Sequence, residues 1–99
     1  MLAPIALLLT LQAAQLPSAD DVRQALQDSL GARCGDDESC IARQPRVEVR
    51  GMACRSAGED LASCRYETRT GAAAWRPATQ NFRFDIETQL WFVEEGERG

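Results

Sequence analysis

Histidine and lysine are both missing from the 99 residues, although eleven arginines and fifteen acids are present. Imidazole-based acid/base or metal chemistry is therefore closed to this chain, and so is Schiff-base chemistry on a lysine amine. The length excludes a multi-domain enzyme and leaves room for one small domain. No phosphate-cradling glycine loop and no nucleophile motif occurs, so neither a cofactor nor a metal is called for.

Long hydrophobic runs are scarce as well. The one that exists, Met1 to Leu11, is uncharged and is followed by the small residues Ala13 and Ala14 and then by Gln15 and Pro17. That is the layout of an export signal with its cleavage zone. Spanning a bilayer takes about 20 apolar residues, so no permanent membrane anchor is expected. We read residues 1–15 as a signal peptide, residues 18–95 as a single small domain, and the location as secreted or periplasmic. A competing reading makes the run an apolar N-terminal strand or helix, because no Lys or Arg precedes it and no clean small-x-small site follows it.

Four cysteines, Cys34, Cys40, Cys54 and Cys64, form an even set in a short chain with an export signal, the usual mark of two disulfides formed in an oxidising compartment. Their spacings lack the close pairs of a structural zinc site, and without histidine nothing generates a reactive thiolate. Three connectivities are open. The arrangement of the segments favours Cys34 with Cys40 and Cys54 with Cys64.

Ser18 stands three residues ahead of Asp21, a capping box that starts a helix. Val22, Leu26 and Leu30 then form a narrow apolar stripe, with Ala25 and Ser29 beside it, and Gly31 is placed to close the helix. Such a helix is marginal alone and must lie on something else. A sheet supplies that surface. Arg46 to Arg50 alternates with period two, and Met52 and Cys54 continue it only if an extra residue, a bulge, is inserted near Gly51. Ser56 to Asp60 is turn chemistry. Ala62 to Thr70 alternates again, with Cys64, Tyr66 and Thr68 on one face, and a hairpin centred at Glu59 sets Cys54 opposite Cys64. Gln80 to Ile86 reads as a third strand with Phe82, Phe84 and Ile86 inward, and Leu90 to Val93 as a fourth. The expected fold is α+β: one N-terminal helix packed on a four-stranded antiparallel meander, stapled by two disulfides.

Charge is uneven. Asp20 to Glu38 carries −4, Arg43 to Arg83 carries +4 and Asp85 to Arg98 carries −4, for a net −4. Arginines such as Arg65 and Arg69 then line an outer sheet face, ready for an anionic ligand or partner; the weightier alternative has the acidic ends neutralise them in the fold. Nucleic acid is not expected, since the net charge is negative and export removes the protein from it. Gly35 to Ser39 holds three adjacent acids, which suit a solvated loop or the start of a second helix ending near Arg43 better than a calcium site. Thr70 to Pro77 is a long connection that carries Trp75 and Arg76, residue types enriched at binding hot spots. Trp75 either closes the end of the core or stands out as an anchor.

Two functions fit these residues. The first is a non-enzymatic binding or inhibitory module whose surface comprises Trp75, Arg76, Arg65 and Arg69 and engages an extracytoplasmic protein or an anionic ligand. The second is a small carboxylate-based enzyme or ligand-binding pocket protein, using Glu48 with Glu67 or Asp85 between helix and sheet. The first is favoured, because those carboxylates alternate toward the polar face.

Overall fold

A computed structural model describes residues 16–94. The apolar run read as a signal peptide lies outside the described residues. Helix α1 spans Ala19–Gly31, a 3-10 turn follows at Ala32–Cys34, and a short helix α2 covers Glu38–Ala42. Four strands come next: β1 Val47–Gly58, β2 Leu61–Thr70, β3 Arg76–Asp85 and β4 Leu90–Val93. They pair antiparallel in the order β1-β2-β3-β4, so the α+β meander read from the sequence is the fold.

The capping box at α1 forms in full: the Asp21 N–H donates to Ser18 Oγ at 3.1 Å and the Ser18 N–H donates to Asp21 Oδ2 at 2.8 Å. Gly31, however, is not the cap. It keeps right-handed helical angles, the chain runs on through the 3-10 turn, and the left-handed glycine is Gly35, with φ +61°. Three further residues fit because nothing at Ala32 or Arg33 opposes helical geometry, and Gly35 is the first position free to reverse it. Asp37 then caps α2, accepting from the Ser39 and Cys40 N–H groups.

Parity across β1 forces the bulge. Val47 and Val49 face the helix side, and so do Met52 and Cys54, with the register stepping between Arg50 and Ala53 around Gly51 at φ +60°. A left-handed glycine is what a bulge of this kind needs. Past it, Cys54 pairs with Cys64, and the disulfides Cys34–Cys40 and Cys54–Cys64 close with Cα separations of 5.6 and 4.0 Å. Strand β1 runs farther than expected, to Gly58, so the hairpin turn is only Glu59-Asp60 with Asp60 at φ 59°.

The core lies between α1 and the inner sheet face: Val22 and Ala25 meet Ala62, Cys64, Tyr66, Phe82 and Trp91. The stripe is turned from its expected axis toward Ala25, whose small side chain lets the helix approach the sheet, leaving Leu26 partly buried. Gln27 ties the helix to the start of β1: the Val47 N–H donates to its Oε1, and its Nε2 donates to the Pro45 carbonyl, both at 2.9 Å. Ile86 is the clearest departure. Expected inward, it is 67% exposed, because β3 ends at Asp85 and Ile86 falls in the turn that Gln89 closes by donating its N–H to the Asp85 carbonyl. β3 also begins four residues sooner than expected, at Arg76, and accommodates Pro77 because β4 pairs only with Phe82–Asp85 and leaves that stretch at an edge.

Burial pushes the phenol of Tyr66 above its ordinary value. Because the folded state holds the proton more tightly, the stabilisation is complete below the ordinary tyrosine pKa near 10 and fades as pH rises through the raised value. Tyr66 is the single tyrosine in the chain, so its ultraviolet titration reports one group. The expected result is a midpoint displaced upward and accompanied by loss of structure; an ordinary midpoint with the fold intact contradicts this burial.

Candidate functional site

Strand alternation gives the sheet an outer face, turned away from α1, and cross-strand register orders its side chains in rows. One row runs Arg55, Ser63, Asn81; the next Ala53, Arg65, Thr79; the next Arg50, Glu67, Pro77; and then Glu48 beside Arg69. At the far side Leu61, Arg83 and Phe92 align.

Three of these arginines are neutralised. Arg50 Nε donates to Glu67 Oε1 at 2.8 Å, Arg69 Nε to Glu48 Oε1 at 2.6 Å, and Arg83 Nε and Nη2 to the two carboxylate oxygens of Glu94 at 2.8 and 3.2 Å. The hydrogen bond from Arg83 holds the Glu94 carboxyl below the usual carboxylate range, and the same bond raises Arg83. Both carboxylates in the first two pairs belong to the strands themselves, so the neutralisation comes from cross-strand neighbours more than from the acidic ends of the chain. Arg55 and Arg65 have no carboxylate partner among the described residues. They flank a shallow groove of about 380 Å³ floored by Ala53 and Cys54 and edged by Ser63 and Thr79.

Trp75 sits at one end of this face. It is outside the core cluster, so it does not close the core, and it is only partly exposed. The guanidinium carbons of Arg50 and Arg69 lie 4.1 and 4.6 Å from its ring centroid, within cation–π range. Trp75, Arg65 and Arg69 thus share the outer face. Arg76 does not join them: it pairs with Thr68 in register and has the parity of Phe82, on the opposite side.

Carboxylates are not gathered in a pocket. Glu48 and Glu67 are on the outer face, each against an arginine, while Asp85 accepts from the Thr88 hydroxyl at 2.9 Å. Between helix and sheet a groove of about 240 Å³ is bounded by Leu26, Leu30, Arg33, Val47, Gln80 and Val93, and no carboxylate lines it. Among the described residues no charged side chain is buried, and no cluster of acids and cysteines is arranged to hold a metal ion. Of the three adjacent acids, Asp37 is occupied as a helix cap.

Sequence reasoning missed the ion pairs and the isolation of Arg55. The signal was present in the alternating charges of both strands, but the bulge decides which residues meet. On the register set by Cys54 and Cys64, Arg50 would oppose Thr68; the step at Gly51 moves it onto Glu67. No protein-family model matches the chain, and no significant match is found among curated proteins or solved structures.

Proposed function

We propose that the mature chain is a small exported, non-enzymatic binding module that presents the outer sheet face to an extracytoplasmic partner carrying negative charge. The observation that carries this reading is the set of five arginines, Arg50, Arg55, Arg65, Arg69 and Arg83, on one face of a rigid sheet, with Trp75 laid against two of them. Aromatic and arginine side chains on a stiff scaffold are the groups from which binding hot spots are built. Two disulfides and the apolar leader fit a life outside the cytoplasm.

Retention on a sulfated-glycan column tests it. A chain of net charge −4 is repelled by a polyanion unless its cations are grouped. The oxidised mature protein is expected to be held and then released by salt, while the unfolded, reduced chain flows through. Flow-through of the folded protein at low salt defeats the reading, and amino-terminal sequencing that finds material outside the cytoplasm still beginning at Met1 defeats the proposed cleavage.

A further inference from the structure

Resting on that reading, we propose that the groove between Arg55 and Arg65 is a discrete site for one tetrahedral oxyanion, a phosphate or sulfate group. The two arginines are set diagonally across the β1–β2 ladder: Arg55 pairs with Ser63, and Arg65 pairs with Ala53 two positions along. Diagonal neighbours on one sheet face lie about 7–8 Å apart at the backbone, so two long side chains there can close on a shared group. The charges on either side are cancelled, by Glu67 and Glu48 toward Trp75 and by Glu94 toward β4. Among the described residues, positive charge on this face without an ion-pair partner is thereby concentrated at Arg55 and Arg65.

The neighbours give that charge a receptacle. Ala53 and Ser63 are small, so the surface dips between the two guanidinium stems, and Ser63 and Thr79, which also line the groove, carry hydroxyls that can serve as further donors. Two planar forks and two hydroxyls offer more donors than a planar carboxylate can use, whereas a tetrahedral group accepts from several directions at once and takes its negative charge between the two cations. The bulge at Gly51 is what makes the site possible. Without the extra residue, the register set by Cys54 and Cys64 would put Arg50 opposite Thr68 on the helix side and leave Glu67, beside Arg65 on β2, without its arginine.

Amide NMR of the oxidised protein, titrated with inorganic phosphate against chloride at equal ionic strength, tests the assignment. The expected result is saturable movement of the amides of residues 53–55, 63–65 and 79, with those near the Arg83–Glu94 pair unmoved. Arg55→Ala and Arg65→Ala are each expected to weaken phosphate by about tenfold, the usual loss of a charge-assisted contact, and Arg65→Lys by less, since it keeps charge but not the fork. Arg76→Ala, on the other face, leaves affinity unchanged. Sulfate and a sulfated tetrasaccharide form the other arms: tighter binding of the saccharide identifies an ester group on a glycan as the source, and equal binding identifies the free anion. Absence of saturation, movement centred on Arg83, or affinity unchanged from the parent in the two alanine variants overturns the site. If the glycan column still retains the Arg55→Ala, Arg65→Ala double variant as tightly as the parent, this site fails while the binding-module reading stands; if the parent itself is not retained, that reading fails.

Discussion

Reduction of both disulfides is expected to leave the domain largely unfolded at ambient temperature. Loop-closure entropy assigns about 2.8 kcal/mol to the Cys54–Cys64 bridge and about 2.3 kcal/mol to Cys34–Cys40, together about 5 kcal/mol. Small domains hold only some 5–15 kcal/mol in total, and one with a core this limited belongs near the lower bound. The two bridges do different work. Cys64 is fully buried among Ala62, Tyr66 and Phe82, so its bridge locks the hairpin register and fills the core at once. The Cys34–Cys40 link joins the 3-10 turn to α2 outside the core. Replacing Cys54 and Cys64 by serine is accordingly expected to unfold the sheet, while replacing Cys34 and Cys40 lowers the melting temperature and keeps it. At about 4–8 °C per kcal/mol for a domain of this size, a circular dichroism melt in reductant is expected to fall by at least about 20 °C. A shift of only a few degrees contradicts the account.

Truncation of Phe82 and truncation of Trp75 give opposite results. Phe82 is fully buried, 6.3 Å from Tyr66 by ring centroids, and it is the largest side chain wholly inside. Phe82→Ala removes its transfer energy and leaves a cavity, at a cost of about 3–5 kcal/mol. That is close to the whole stability, so the variant is expected to be unfolded or nearly so, and Phe82→Leu, which fills more of the space, melts between it and the parent. Trp75→Ala loses only cation–π contacts on a half-open surface, about 0.5–1 kcal/mol each. Its melting temperature is expected to fall by a few degrees while retention on the glycan column weakens. A collapse of the fold in Trp75→Ala comparable with that in Phe82→Ala contradicts the placement of Trp75 outside the core.

Strand alternation, the capping box and the cysteine register were legible in the residues because each depends on neighbours close in sequence. The bulge could be read for the same reason: Val47, Val49, Met52 and Cys54 share one face only with an inserted residue, and Gly51 is the position that takes it. Features that depend on distant partners were not legible. Arg76 and Pro77 show no strand alternation and become β3 only because β2 offers Thr68 and Glu67 as partners. Ile86 has the right parity, but the turn toward β4 takes it out of the strand before parity matters. Nothing beside Gln27 in the sequence sets it apart from other polar helix residues, yet it satisfies the backbone at the entry to β1. At the candidate site, Arg65 and Arg69 were visible as outward residues. Which outer-face arginines of β1 and β2 meet glutamates is fixed by a one-residue step in register, and so the two on that face without a carboxylate partner among the described residues could not be singled out beforehand.

Fold, register and outer face all depend on the cysteines being joined in two intramolecular pairs. Intact mass measurement of native material after alkylation without reductant, followed by peptide mapping, reads this directly. The account predicts no alkyl groups added and two linked peptides, one joining Cys34 to Cys40 and one joining Cys54 to Cys64. Four alkylated thiols, or a peptide linking either residue of one pair to the other pair, contradicts it.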